Sequence, residues 1–155
     1  MELFLLRHGH AVPSAPRDSE RELSSQGRED LSMVLQPLTK ELNQIEKVLC
    51  SPFIRARQTL EVAKDYLPTN VDSNITYSEN LTPDADYLAL ASLLETMHET
   101  SVLLVTHQPL VELLLNWLCG FAPGEYRMGT SAIAAIDIDP VAAGLSELRW
   151  LKQPI

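Results

Sequence analysis

Arg7-His8-Gly9-His10 closes the apolar run Leu3-Phe4-Leu5-Leu6 at the start of a 155-residue chain. Two chemistries are open to it. His8 and His10, one residue apart, have the spacing of a strand-end metal pair. Arg7 and His8 have the groups to hold and attack a phosphate. Two further segments bear on the choice. Ser51-Pro52-Phe53-Ile54-Arg55-Ala56-Arg57-Gln58-Thr59 and Val105-Thr106-His107 also stand at the ends of apolar runs. Guanidinium forks match the oxygens of a tetrahedral dianion. One neutral imidazole can act as nucleophile while another donates to developing charge. Metal hydrolases with an His-x-His pair need more ligands, usually on a barrel of about 250 residues, and Arg7 would repel a cation. Cys50 and Arg55 have four residues between them, one fewer than a tyrosine-phosphatase loop requires. Nor is there a Gly-rich phosphate loop. Phosphate chemistry without metal or cofactor is the expectation.

The elements that must deliver these residues are legible from periodicity and punctuation. Residues 2–7 read as a short buried strand and 11–23, with two prolines, as a loop. Ser24 is placed to cap a helix from about Ser25 to Leu42, with Leu31, Val34, Leu35, Leu38 and Leu42 at helical spacing and Pro37 dividing it. Glu46–Cys50 reads as a second strand. Ser51-Pro52 is the expected cap and first turn of a helix to about Leu67. A short strand is expected at 75–77 and a helix over 84–97. Ser101–Thr106 is a strongly apolar strand, and Pro109 opens a helix to Cys119. Residues 131–139 and 145–151 complete the set as a hairpin. Strand–helix alternation predicts an α/β fold, a three-layer αβα sandwich with a mainly parallel sheet and one antiparallel edge strand. In such sheets the site lies beyond the carboxyl ends of the strands. His8, Arg55 and His107 are therefore expected at one edge, with Gly9 permitting close backbone approach.

Length and composition fit a single domain over 1–155 with a sizeable core. The net charge of -9 argues against nucleic acid or an anionic membrane as the main partner. No stretch approaches the roughly 18 apolar residues of a membrane helix, and the N-terminal run lacks the marks of a secretion signal. A cytoplasmic protein with two free thiols, Cys50 and Cys119, is expected.

Taken together, Arg7-His8-Gly9, the SPxxRAxQT pattern over Ser51–Thr59 and the strand-end His107 make the chain resemble the histidine phosphatase, or phosphoglycerate mutase-like, superfamily. The segments Arg21–Gly27, Asn80–Pro83 and Thr130–Ala134 are similar to those of SixA-type phosphohistidine phosphatases. The resemblance implies a protein phosphohistidine substrate, such as a phosphotransfer domain of a signalling relay. It implies that His8 is transiently phosphorylated while Arg7, Arg55 and His107 bind the equatorial oxygens. By the same resemblance Arg21, Gly9 and Ser131, with Thr130 beside it, are candidates for substrate contacts. Larger relatives carry an acid for an alcohol leaving group; Glu79, followed by Asn80, is the nearest candidate here. Imidazole, with a pKa near ~6.5, leaves more readily than an alkoxide. Little acid help and little room for a lid between Arg55 and His107 suit phosphohistidine on a protein surface. His10 departs from the carboxylate or amide common two places after the nucleophile, and reads as an exposed loop residue. A small-molecule phosphomonoesterase on the same fold and a non-catalytic phosphoprotein-binding module remain as alternatives.

Overall fold

A computed structural model describes all of residues 1–155. The chain runs β1 (Glu2–Arg7), α1 (Ser25–Leu35), α2 (Thr39–Leu42), β2 (Lys47–Cys50), α3 (Ile54–Ala63), β3 (Ile75–Tyr77), α4 (Tyr87–Glu95), β4 (Ser101–Thr106), α5 (Leu110–Cys119), β5 (Ile133–Asp137) and β6 (Glu147–Lys152). The strands form one sheet in the order β3-β2-β4-β1-β5-β6. The four strands from β3 to β1 are parallel; β5 runs against both β1 and β6. The antiparallel edge is therefore the β5–β6 hairpin, within which β5 is the reversed strand.

Period-two alternation along β1 explains the layering. Phe4 and Leu6 face a cluster that includes Leu31 and Leu35 of α1, Leu42 of α2 and Leu60 of α3. Leu3 and Leu5 face the opposite cluster, with Leu90 and Leu94 of α4 and Leu110, Leu114 and Leu118 of α5. Helices thus cover both faces, as buried parallel strands require.

Local rules hold at most boundaries. Ser24 caps α1 by accepting from Gly27 N. The helix expected over 25–42 is interrupted by a 3-10 turn at Gln36–Leu38, where Pro37 removes a donor. One expectation fails. Helix α3 begins at Ile54 with Phe53 at its N-cap and no side-chain cap. Ser51 is not that cap, because its hydroxyl is engaged elsewhere. The helix also stops at Ala63, with a 3-10 turn over Lys64–Tyr66, and α4 is shorter at both ends than 84–97.

The register sets the site. Arg7 pairs with Thr106, and Cys50 with Val105, so β1, β2 and β4 end nearly level. His8 and His107 are consequently the first residues beyond a matched pair. Strand β1 leads through α1 toward β2, whereas β4 leads through α5 toward β5 on the other side. The gap between β1 and β4 is therefore the point where strand connections diverge, the preferred ligand position in open α/β sheets. No helix is long and apolar enough to cross a membrane.

Candidate active site

Backbone hydrogen bonds hold the strand ends together before any side chain contributes. His8 N donates to Thr106 O (3.0 Å), Ser51 N to Val105 O (3.0 Å) and Ser131 N to His8 O (3.1 Å). Because β5 is reversed, the turn that leads into it brings Thr130 and Ser131 to the edge where β1 and β4 deliver their C-terminal residues. Ser131 is fully buried with φ 65°. That conformation is uncommon for a residue with a Cβ.

His8 is 6% exposed and its protonation pattern is fixed by its partners. A carbonyl oxygen can only accept, so Nδ1–H donates to Gly9 O at 2.7 Å. An arginine can only donate, so Arg55 Nε–H points at His8 Nε2 at 3.3 Å. Nε2 is thus the nitrogen with the free electron pair. Burial pushes the His8 pKa down to about 4, against the Gly9 bond and with help from Arg55, Arg7 and Arg21. The ring is neutral near pH 7 and able to attack.

His107 lies beside it, with ring centroids 5.0 Å apart. Its Nε2 is 2.7 Å from Ser51 Oγ, which accepts from Phe53 N at 3.2 Å. A hydroxyl oxygen donates one bond and accepts two, so this contact fits either ring tautomer; with the Ser51 hydroxyl donating to Nε2, the proton of His107 sits on Nδ1. That Nδ1 is buried and has no protein partner. Burial, then the neighbouring His8 and Arg55, hold His107 well below the usual histidine range. Arg7 donates through Nη1 to Met128 O (2.9 Å), while its Nε is also buried and unpaired. Ser131 Oγ is a third such group. Three buried polar groups without protein partners, on Arg7, His107 and Ser131, belong to residues at the same strand ends as His8. Unpaired buried donors are costly unless a ligand satisfies them, and a tetrahedral oxyanion would.

Arg55 is 4% exposed, and each of its three nitrogens makes one hydrogen bond. Its Nη1 donates to Asp18 O (2.7 Å) and its Nη2 to Asp18 Oδ2 (3.1 Å). Its guanidinium also lies over the Phe53 ring, 5.1 Å from the centroid, and Phe53 meets His107 edge-on at 5.0 Å. Gly9 approaches α3 closely, with its N–H donating to Thr59 Oγ1 (3.1 Å), and Thr59 in turn bonds Arg55 O (2.7 Å). The Arg-His-Gly turn and the helix carrying Arg55 are therefore stitched together.

Other expected residues lie apart from this cluster. Arg21 bonds Val12 O (2.8 Å) and Asp18 Oδ1 (3.0 Å), so it reaches the centre through Asp18. His10 is exposed and its Nδ1 sits 2.7 Å from Ser24 Oγ at the start of α1, turned to a different task from His8. Glu79 is exposed on the turn after β3, and its carboxylate makes neither hydrogen bond nor ion pair. No three side chains of the metal-binding types gather anywhere in the chain. The Cys50 thiol faces Ser51 O and Ala56 O, and burial pushes its pKa up to about 12, which suits a core thiol rather than a nucleophile. Two residues were not foreseen. Ser51 carried a signal, a serine at a strand end, but the following proline made it read as a helix cap. Asp18 lies in an aperiodic polar loop and carried none.

The cavities of the molecule lie elsewhere, and none is lined by Arg7, His8, Arg55 or His107.

Residues 3–81 match the model of the histidine phosphatase superfamily (branch 1). The chain is 36% identical to the phosphohistidine phosphatase SixA of Escherichia coli (strain K12), across 99% of this chain and 94% of that one. A SixA homolog from Haemophilus influenzae is 28% identical over 77% of this chain and 78% of its own length. The solved structure of the protein histidine phosphatase SixA complexed with tungstate superimposes with a TM-score of 0.87. That match has 36% identity and covers 99% of this chain and 97% of the other.

Proposed function

Because this chain belongs to the histidine phosphatase superfamily, we propose that it is a phosphohistidine phosphatase acting on a phosphorylated protein, through a transient phosphoryl group on His8. The observation that carries the reading is the single free electron pair on the neutral His8 ring, directed at the guanidinium of Arg55. Nε2 of His8 attacks phosphorus in line. The P–N bond to the substrate imidazole breaks, and the leaving imidazole takes a proton from solvent. Arg7, Arg55 and the Nδ1–H of His107 hold the equatorial oxygens as their charge redistributes. Ser131 supplies a further donor. Water then attacks phosphorus, the P–Nε2 bond breaks, and inorganic phosphate leaves with His8 restored. Positioning and electrostatics carry both steps, so no metal or cofactor enters.

The position of the site at the carboxyl ends of the strands supports a phosphoryl group carried on a folded partner, and a phosphotransfer domain is the partner class we assign. We place the chain, as one domain, in the cytoplasm, where its two unpaired thiols fit. Glu79, exposed and uncommitted, is available as an acid only toward a substrate that reaches across the rim.

The test offers the purified protein a phosphohistidine-bearing phosphotransfer domain and a panel of phosphomonoesters. The expected result is a higher kcat/KM on the domain, and a loss of at least about a thousandfold on His8→Ala. Near-wild-type turnover by the variant removes His8 as nucleophile. Faster His8-dependent release from the monoesters points to a small-molecule phosphatase, and binding without release to an adaptor.

A further inference from the structure

Arg55 arrives at His8 with two of its three nitrogens already committed. Both terminal amino groups face Asp18, one on its backbone oxygen and one on its carboxylate. The third nitrogen, Nε, carries the N–H that is directed at His8 Nε2. Asp18 is itself held from the other side by Arg21, whose Nε is anchored on Val12 O. These residues belong to the 11–23 loop, which Ala11 and Leu23 close as an isolated bridge. Gln58 of α3 ties the loop to the Arg55 helix by bonding Leu23 N (2.7 Å) and Glu22 Oε1 (3.0 Å).

We propose that Asp18 is a positioning residue that fixes the rotation of the Arg55 guanidinium, so that Arg55 meets the phosphoryl group through Nε–H and not through its terminal fork. The alternative geometry is the expected one for an unrestrained arginine, since the fork matches two phosphate oxygens. A fork-on approach would bind phosphate in the ground state and carry the guanidinium off the His8 lone pair. Held edge-on, the same cation stays beside the line along which the P–Nε2 bond forms and breaks. Asp18 also offsets one positive charge among Arg7, Arg55 and Arg21, which limits retention of product phosphate. Bonds from Arg21 and then Arg55 hold the Asp18 carboxyl below the usual carboxylate range, so the clamp stays charged. Arg21 is the second half of this device and acts on Arg55 only through Asp18.

The inference rests on the phospho-His8 reading, and a His8→Ala control run on the same phosphorylated phosphotransfer domain separates the two. Removing the clamp by Asp18→Ala should lower kcat by about tenfold or more, the scale of an ångström-level misplacement. KM should stay unchanged or fall, and inorganic phosphate should inhibit more strongly. Asp18→Asn, whose amide oxygen can still accept from Arg55, should recover part of kcat. The Asp18→Ala loss should vanish in an Arg55→Ala background. An equal loss in that background, or a higher KM with kcat intact, overturns the proposal while leaving the His8 assignment standing.

Discussion

In the proposed reaction a neutral His8 is the residue on which the chemistry depends, and its neutrality has a thermodynamic signature. In the folded chain it titrates near 4, whereas an exposed histidine titrates near 6.5. Between those values the unfolded state binds more protons, so acidification favours unfolding. The contribution is complete above pH 6.5 and is lost as pH falls toward 4, with a span on the order of 3 kcal/mol. Urea unfolding of wild type and His8→Gln at pH 7.0, 5.5 and 4.5 should show a shallower pH dependence in the variant. Identical slopes would mean that His8 is not held neutral by burial. The same shift predicts that phosphate release, corrected for spontaneous hydrolysis, does not fall at the pKa of free imidazole. It should persist until pH approaches 4.

At the scale of elements, α1 is pressed against the turn that follows His8. A Cβ placed at Gly27 would lie 2.2 Å from His10 O and 2.9 Å from His10 N, both backbone atoms. Alanine normally favours a helix over glycine by about 1 kcal/mol. Here the clash wins, and Gly27→Ala should destabilise by about 1–3 kcal/mol, as overpacking does. A rise in Tm would show that α1 sits further from the turn. The glycine was readable in the sequence only as part of a family-like segment, because nothing in helical periodicity announces contact with a distant backbone. The strands and the level of their ends were far more legible. Leu3–Leu6 and Val102–Val105 are apolar without interruption, and Arg7-His8 and Thr106-His107 mark where each stops. Sequence patterns fail where tertiary contacts redirect a local rule. Ser51 has the chemistry of a cap but gives its hydroxyl to His107, 56 positions away. Asp18 belongs to no periodic segment, and its meaning comes from Arg55, which lies 37 positions further on.

At the scale of the whole molecule, one sheet separates two apolar clusters that share no helix. Leu35 of α1 and Leu115 of α5, both fully buried, lie on opposite faces. Each Leu→Ala change should cost about 2–5 kcal/mol, and the two should add to within about 0.5 kcal/mol. A typical domain holds about 5–15 kcal/mol in total, so the double variant should lose a large part of the stability of the chain. A double variant markedly more stable than that sum would mean that the faces are coupled through the sheet. The sheet edge itself leads to a kinetic consequence. His8, Arg55 and His107 stand at the carboxyl ends of strands, and a phosphoryl group carried on a protein reaches them by the diffusional meeting of two macromolecules. Added sucrose should therefore lower kcat/KM in proportion to solvent viscosity and leave kcat unchanged. An equal viscosity effect on both would reveal a conformational gate at this edge.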